Sequence, residues 1–407
     1  MSGRLLIPNI AKPAQVFAVN KYTGEVVWSI PVDDSTMSFI TQSAIVYKNI
    51  AYVGIASNEE LISGFWPKSL GFEFQFRGSV VAIDIKSHTI KWKTYTVPLG
   101  YTGGSVWGGQ GAVDEKRNQL YMATGNNYSV PSAVMDCINE GVKPPGDCLD
   151  KGDHFESVLA LNLDDGAIKW ATSGMPYDIW NSGCGFYIPG LLTVGSNDNC
   201  PTPEGEDLDF AQGAMLIKRS KKDIKKDIVG VGQKNGKFWA FNADNGNLEW
   251  VKQVSPSGFH GGLLWGSASD DKYIYVANAN SGSSHNAEPL DWQLQNGQTT
   301  KAGGWSAINS NTGKIVWEKV DPRSSRAQGA VSVANGVMFG CNVEPDHGTM
   351  YALNTATGKV LWSYDSGGAC IAGASIVDGM VYWGTGKPSD PLKGPHKVFA
   401  FGFPGNK

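Results

Sequence analysis

The chain has 407 residues, among them 51 glycines and 14 tryptophans, and a formal net charge of −4. This weakly acidic balance argues against nucleic acid or an anionic membrane surface as a partner. No run of eighteen apolar residues occurs, so the sequence predicts no membrane span. The many glycines and tryptophans indicate many turns and a repeated aromatic position.

A six-residue phrase, Thr/Asp/Asn-Gly-x-apolar-x-Trp, recurs along the chain. Its six copies span residues 23–28, 87–92 (a degenerate copy), 165–170, 245–250, 312–317 and 357–362. An alternating strand precedes each copy, so each unit reads as a strand, a turn with glycine at positive φ, and a strand that ends in tryptophan. A hairpin repeated in this way is typical of a β-propeller.

Each repeat also contains an earlier pair of strands, of which the first opens on small residues, as in Gln328-Gly329-Ala330. The unit therefore has four strands, and the tryptophan ends the fourth. The chain starts at a second strand (residues 5–7) and ends on a third strand (residues 398–401). We predict an all-β fold, a single β-propeller domain over residues 1–407 with five complete and two partial blades in a ring of six or seven.

The six cysteines divide into two groups with different predictions. Cys137 and Cys148 bracket one loop, and Cys184 and Cys200 bracket another, which favours two disulfides and an oxidising compartment; six reduced thiols are the alternative. Cys341 and Cys370 lie in strand-like contexts and are expected to be buried thiols. Asn127-Tyr128-Ser129 matches a glycosylation sequon, and the basic cluster at residues 218–226 is expected to be a solvated hairpin.

Three stretches carry a resemblance to a known family: residues 76–80, residues 107–108 with 121–129, and residues 245–250 with 302–305. Together they resemble the polyvinyl-alcohol-dehydrogenase-like branch of the quinoprotein alcohol dehydrogenase propellers, which bind pyrroloquinoline quinone (PQQ) and Ca²⁺. The resemblance implies eight blades, of which at least one N-terminal blade is missing here. It also implies that Trp107 stacks under the quinone, that Asn126 binds Ca²⁺ and that Lys234 contacts the quinone oxygens. A further metal ligand would be a glutamate, for which Glu59, Glu60 and Glu73 are the candidates.

Two departures from the family pattern affect the predicted chemistry. The family's catalytic aspartate follows a tryptophan, and here that position is Asn181, which cannot accept the proton of an alcohol. The vicinal cysteine pair of many relatives is replaced by Phe74-Gln75. Asp178 is the nearest carboxylate in sequence, although a shift along the strand displaces it from a fixed cofactor.

With these departures, the chain also resembles the fungal hetero-Diels–Alderases of tropolonic sesquiterpenoid pathways. That resemblance implies a lyase or cyclase without cofactor or metal, which dehydrates its substrate to an ortho-quinone methide and directs a hetero-Diels–Alder cycloaddition in natural-product biosynthesis. The partner would be a small apolar or aromatic organic substrate, and the protein would be secreted or reside in the secretory-pathway lumen. The candidate catalytic residues are Asp178, His260, Arg326 and Lys234. The candidate substrate-binding residues are Phe39, Trp107, Gln110, Trp180, Gln212, Trp265 and Gln328.

Two other functions stay open on the sequence. A PQQ- and Ca²⁺-dependent alcohol dehydrogenase with a rearranged base would use Trp107, Asn126 and Lys234. A binding scaffold would need neither the aromatic entries of the inner strands nor the long loop insertions.

Overall fold

The structure is a computed structural model that describes residues 4–8, 13–188, 192–219, 226–283, 286, 288–386 and 396–402. Within these residues the chain divides into two compact units. The first comprises residues 1–216, 244–247 and 284–286, and the second comprises 217–243, 248–283 and 287–407. The prediction of a single domain over residues 1–407 stays a prediction.

The strands of the first half follow the order that the repeated unit predicts. They are β1 (Arg4–Pro8), β2 (Gln15–Asn20), β3 (Val26–Pro31), β4 (Ser38–Phe39), β5 (Ile45–Tyr47), β6 (Ile50–Ser57), β7 (Ser79–Asp84), β8 (Thr89–Tyr95), β9 (Thr102–Gly103), β10 (Ala112–Asp114), β11 (Gln119–Ala123), β12 (Asn127–Ser129), β13 (Ser157–Asn162), β14 (Ile168–Ser173), β15 (Phe186–Ile188) and β16 (Leu192–Val194). Two short α-helices interrupt them, α1 (Glu59–Ile62) and α2 (Ser132–Glu140). Short 3-10 helices lie at Lys68–Leu70, Pro145–Asp147 and Ser182–Cys184.

The remaining strands continue the same order. They are β17 (Met215–Ile217), β18 (Ile228–Gly232), β19 (Lys237–Asn242), β20 (Leu248–Gln253), β21 (Ala268–Ser269), β22 (Tyr273–Asn278), β23 (Trp292–Gln293), β24 (Thr299–Thr300), β25 (Gly304–Asn309), β26 (Ile315–Val320), β27 (Ser332–Ala334), β28 (Val337–Cys341), β29 (Thr349–Asn354), β30 (Val360–Asp365), β31 (Ser375–Val377), β32 (Met380–Thr385) and β33 (Lys397–Phe401).

The principal antiparallel sheets number seven among the described residues, and they are the blades. The first (β1-β2-β3) and the last (β31-β32-β33) have three strands. The five between them have at least four, with the orders β4-β6-β7-β8 (β5 also on β6), β10-β11-β13-β14, β17-β18-β19-β20, β21-β22-β25-β26 and β27-β28-β29-β30. The predicted fold class is confirmed as a seven-bladed β-propeller of small antiparallel sheets, with five complete and two partial blades.

The repeated tryptophan has the same place in every hairpin. Trp28, Trp92 and Trp170 each pair with an alanine of the preceding strand, and so do the three later copies. The small alanine leaves room for the indole, which lies over the turn of the next hairpin, at a glycine for Trp92 and Trp170 and at His88 for Trp28. A Cβ on Gly166 would lie 2.6 Å from Trp92, and a Cβ on Gly246 would lie 2.5 Å from Trp170. The repeat therefore sets both strand register and sheet-to-sheet packing.

Three disulfides close loops in the described chain. Cys137–Cys148 and Cys184–Cys200 are paired as predicted. The expectation of buried thiols at Cys341 and Cys370 is wrong, because these residues form a third disulfide with their Cα atoms 5.8 Å apart. Cys341 ends β28 and Cys370 precedes β31, so the bond joins neighbouring blades. Their separation of 29 residues hides this proximity from the sequence.

Three other predictions concern the glycosylation sequon, the basic cluster and the absence of a membrane span. Asn127 of the sequon is completely buried and donates a hydrogen bond to Asp153, so this site is closed to a glycan. Residues 220–225 of the basic cluster lie outside the described residues. In the described part of the chain, no helix is long and apolar enough to cross a membrane.

Candidate functional site

A buried polar group forms around Asn126 in the first unit, where the chain enters β12. The Asn126 side chain donates from Nδ2 to the carbonyls of Trp180 (2.7 Å) and Asn127 (3.1 Å). Among the described residues, none donates to its Oδ1. An amide whose hydrogens are held by the backbone offers this oxygen in a fixed direction, which suits a hard cation.

Asp209 lies directly beside Asn126, and the sequence did not point to it. Its Oδ1 accepts the backbone N–H of Asn126 at 2.8 Å, and its side chain is buried. A Cβ on Gly125 would lie 2.2 Å from Asp209 Oδ1 and 3.3 Å from Trp107 Nε1, so the missing side chain at Gly125 lets both groups approach. Trp107, Asn126 and Asp209 thus share one small region. The available signal was the position of Asp209 just before the small-residue phrase of the fourth blade.

Asp178 is buried and its carboxylate is occupied by the backbone. Its Oδ1 accepts the N–H groups of Glu206 (3.0 Å) and Asp207 (3.1 Å), and its Oδ2 accepts that of Leu208 (2.8 Å). Three donors stabilise the ionised carboxylate and hold the loop that leads to Asp209. This placement gives Asp178 a positioning task, and the catalytic role predicted for it is untested.

Asn181 occupies the position that the family resemblance assigns to the catalytic aspartate. Its Nδ2 donates to the carbonyls of Tyr128 and Asn199, both at 3.0 Å. Its Oδ1 accepts the N–H of Gly183 at 2.9 Å and lies 3.2 Å from the Ser63 hydroxyl. The two carbonyls require a donor, so the amide here is a structural link between loops.

Two more asparagines continue this link toward the insertion that follows α1. Asn199 donates to the carbonyls of Ser63 and Trp66, and Asn197 donates to those of Ser63 and Gly64. The disulfide Cys184–Cys200 closes the loop that carries both asparagines. The insertion at residues 61–70 is therefore held by side-chain amides.

The remaining candidates of the first unit differ in exposure. Phe39 is half-buried at the end of β4 and Gln110 is exposed, whereas Trp180 and Gln212 are buried. The Trp180 carbonyl supports Asn126, as described above. Their predicted role in substrate binding is untested.

In the second unit, the structure brings several predicted residues together. Lys234 is buried, and its Nζ lies 5.6 Å from the centre of the Phe259 ring. Phe259 contacts His260 with ring centroids 4.6 Å apart, and Gln328 donates to the His260 carbonyl at 3.0 Å. Burial lowers the pKa of Arg326, and the charge of Glu288 opposes this shift. Trp265 is half-buried with φ of 65°.

A cavity of about 580 Å³ opens in the first unit, between the loop after β3 and the insertion after α1. Its wall carries four carboxylates, Asp33, Asp34, Glu59 and Glu73, and two cationic side chains, Arg77 and Lys93. Of the three glutamates considered as metal ligands, Glu59 is the buried one that faces this cavity. The only gathering of three His, Cys, Asp or Glu ligand atoms in the described chain is Cys184, Cys200 and Glu204, whose cysteines are disulfide-bonded.

Comparisons with known proteins find sequence relatives among the dehydrogenases. The polyvinylalcohol dehydrogenase of Sphingopyxis sp. (strain 113P3) is 29% identical over 401 residues, covering 90% of this chain and 55% of the relative. The polyvinylalcohol dehydrogenase of Pseudomonas sp is 28% identical over 408 residues, with the same coverage. A family described as "Outer membrane protein assembly factor BamB" matches residues 260–389. The chain spans about half the length of these curated relatives.

Solved structures show the same fold. The quinohemoprotein alcohol dehydrogenase from Comamonas testosteroni superposes with a TM-score of 0.67 at 18% identity, covering 98% of this chain and 65% of that one. A europium-containing methanol dehydrogenase gives a TM-score of 0.62 at 16% identity, covering 95% and 72%. The resemblance to the quinoprotein alcohol dehydrogenase propellers is therefore confirmed.

Two predictions are wrong in the light of these relatives. The predicted lyase or cyclase, with hetero-Diels–Alder chemistry, is contradicted because the curated relatives are named dehydrogenases. The expected absence of a cofactor is contradicted by the same names, which include quinoprotein and quinohemoprotein enzymes. The prediction gave too much weight to the single change at Asn181, since one altered residue in a site does not specify a new reaction.

Proposed function

We propose that this chain is the propeller of a quinone-dependent alcohol dehydrogenase that binds PQQ and a hard cation such as Ca²⁺. The observation that carries the proposal is the meeting of Trp107, Asn126 and Asp209 at Gly125. An aromatic face beside two oxygen ligands is the combination that a planar, anionic quinone with its metal ion requires.

The residues of this region fit the group in part. Asn126 Oδ1 has no donor among the described residues, and Asp209 supplies a buried carboxylate next to it. Trp107 would support the quinone plane, and Asn126 and Asp209 would hold the cation. The bound quinone would accept the electrons of the alcohol.

The chain's own residues prepare the site through their positions. The Trp180 carbonyl orients the Asn126 amide, and Asp178 holds the loop before Asp209. Asn181 cannot accept a proton, because an amide has no basic lone pair at neutral pH, and two carbonyls hold its amide hydrogens. The base for the alcohol proton would therefore be a group other than Asn181. The proposed substrate is a small-molecule alcohol.

The three disulfides support a secreted protein, since such bonds persist in oxidising compartments. This location also suits an enzyme that delivers electrons to an external acceptor.

The test is a titration of the purified chain with PQQ in the presence of Ca²⁺ or Eu³⁺, followed by quinone absorbance and tryptophan fluorescence. Dye-coupled oxidation of primary and secondary alcohols then measures turnover. We expect micromolar or tighter binding that weakens at least tenfold in Trp107→Ala and in Asp209→Asn. Tyr22→Ala, which removes an aromatic side chain that is 80% exposed, is the control and should bind normally. Absence of binding at several hundred micromolar PQQ with either metal would overturn the proposal.

A further inference from the structure

The cavity beside α1 has an excess of negative charge. Four carboxylates and two cationic side chains line it, and all six belong to the first unit. A wall with this balance repels anionic ligands and favours cations, more so where low-dielectric walls surround the charges. The volume of about 580 Å³ is in the range of pockets that enclose a small organic molecule.

Both cationic side chains are already engaged by the protein. Lys93 Nζ lies 2.6 Å from Asp33 Oδ2 and 3.3 Å from the Val32 carbonyl. Arg77 donates from Nε and Nη2 to the Val97 carbonyl, and its guanidinium lies 4.1 Å from the centre of the Tyr95 ring. Lys93 and Asp33 neutralise each other, which leaves the carboxylates of Asp34, Glu59 and Glu73 against the single positive charge of Arg77.

Glu59 is the buried member of this set and has an unused oxygen. Its side chain is 5% exposed, and its Oε2 accepts the backbone N–H groups of Gln75 (3.0 Å) and Phe76 (2.9 Å). No described residue donates to Oε1. Among the described residues, no cationic side chain forms an ion pair with Glu59. A buried carboxylate without a counter-ion is the group that a cationic ligand would stabilise.

Aromatic rings complete the wall on the side of the insertion. Trp66 is 45% exposed, its indole N–H is bonded to the Leu70 carbonyl, and its ring centroid lies 5.8 Å from that of Phe72. The bonded N–H restrains the indole. The exposed part of the Trp66 side chain belongs to the cavity lining. Aromatic faces beside carboxylates are the surroundings that organic ammonium groups prefer.

We propose that this cavity binds the cationic head of an organic ammonium ligand, with Glu59 as its buried counter-charge, Asp34 and Glu73 at the mouth, and Trp66 against its alkyl groups. The lining contains none of Trp107, Asn126 and Asp209, on which the dehydrogenase proposal depends. The ammonium site takes the place of the metal-ligand role that the family resemblance implies for Glu59 or Glu73. Inorganic ions are a poorer match because no three acidic ligands of the wall gather closely enough to hold one.

The experiment compares choline with 3,3-dimethylbutan-1-ol, its uncharged isostere, by calorimetry and tryptophan fluorescence without quinone or metal. We expect choline to bind at least tenfold more tightly, and Trp66→Phe to change the fluorescence response but keep the preference. Equal affinity for the two probes, or no choline binding at tens of millimolar, would overturn the proposal. Displacement of choline by micromolar Ca²⁺ at constant ionic strength would also overturn it, because it would show a divalent metal site.

Variants then test whether the carboxylates of the cavity wall cause the preference for choline over its uncharged isostere. Glu59→Gln should reduce choline affinity at least tenfold and leave the isostere unaffected. A glutamine oxygen can still accept the two backbone N–H groups, so this variant should fold. If it does not, the double variant Asp34→Asn with Glu73→Gln tests the mouth and should lower affinity several-fold. Glu25→Gln removes an exposed carboxylate of the same unit outside the cavity and is the charge-matched control. Since no quinone is present, failure here leaves the dehydrogenase proposal unaffected, and failure of PQQ binding leaves this one unaffected.

Discussion

The side-chain amide of Asn181 donates to two backbone carbonyls, and this decides what the residue can do. A carboxylate in the same place would set an acceptor against each carbonyl and leave both without a donor. The family pattern has aspartate at this position. The loops around it here, including the one closed by Cys184–Cys200, depend on the hydrogen bonds that the asparagine donates.

Asn181→Asp should consequently destabilise the protein, by roughly 1–3 kcal/mol, and should not raise alcohol oxidation. Urea unfolding of the variant at pH 7 measures the loss. Asn296→Asp, an exposed residue of the β23–β24 turn whose Oδ1 accepts the Gln298 N–H, is the matched control and should be close to neutral. A stable Asn181→Asp protein with increased turnover would show that this position is a dormant base.

Asp153 is a second residue whose environment predicts a measurable effect. It is buried, and burial raises its pKa to about 7 although Asn127 and the Phe155 backbone donate to it. A carboxyl whose folded pKa lies above its unfolded value keeps its proton longer in the folded state. Stability therefore falls as pH rises from about 4 to about 7, and it levels off above.

Asp153→Asn should remove this penalty, because an amide needs no proton and retains an acceptor for Asn127. Relative to the unchanged protein, we expect a higher thermal midpoint at pH 8 and little difference at pH 4. The gain can reach at most about 4 kcal/mol, the value of a three-unit shift. Melting curves across this pH range provide the measurement, and a gain that is the same at pH 4 and pH 8 would contradict the titration of Asp153.

At the scale of the element, the hairpin with its terminal tryptophan is the unit that builds the fold. The turn glycine serves two purposes: it adopts positive φ, and it leaves space for the indole of the preceding blade. Gly166 has φ of 74°, and a Cβ there would approach both Trp92 and Thr94. Gly24 has nearly the same φ of 76°, but nothing lies within 4 Å of the corresponding Cβ.

This pair separates backbone strain from packing. Gly24→Ala should cost only the left-handed conformation, roughly 1–2 kcal/mol. Gly166→Ala should cost more by about 1–3 kcal/mol, because the new methyl must displace the Trp92 ring. Chemical denaturation of the two variants gives the difference, and equal losses would mean that the indole adapts without cost.

For the whole molecule, the three disulfides act over different lengths of chain. Cys137–Cys148 closes a separation of 11 residues, whereas Cys341–Cys370 closes 29 and joins neighbouring blades. The longer closure restricts the unfolded chain more strongly.

Replacing Cys341 and Cys370 together by alanine should therefore cost roughly 3–4 kcal/mol, more than replacing Cys137 and Cys148. Peptide mapping without reductant first establishes the three pairs, and denaturation of each double variant follows. Recovery of Cys341 and Cys370 as alkylated thiols from untreated protein would refute the third bond.

Much of the architecture follows from the sequence alone, because its causes act within a hairpin. Turn glycine, alternating strands and a terminal tryptophan lie within about fifteen residues, so their spacing sufficed to predict the blades and the partial sheets at either end. Cys137–Cys148 and Cys184–Cys200 were predictable for the same reason, since each closes a single loop.

The site depends on contacts between distant loops, and only the tertiary structure decided these. Asn126 meets Asp209 across 83 residues, and Asn181 meets Ser63 across 118. Cys341 meets Cys370 between blades, and the wall of the cavity joins the loop after β3 to the insertion after α1. Such contacts depend on how insertions pack and on which polar groups become buried. The spacing of residues within one hairpin does not predict either of these. For this reason the sequence determined the propeller, whereas the surroundings of Asn181, Asp209 and Glu59 came from the fold.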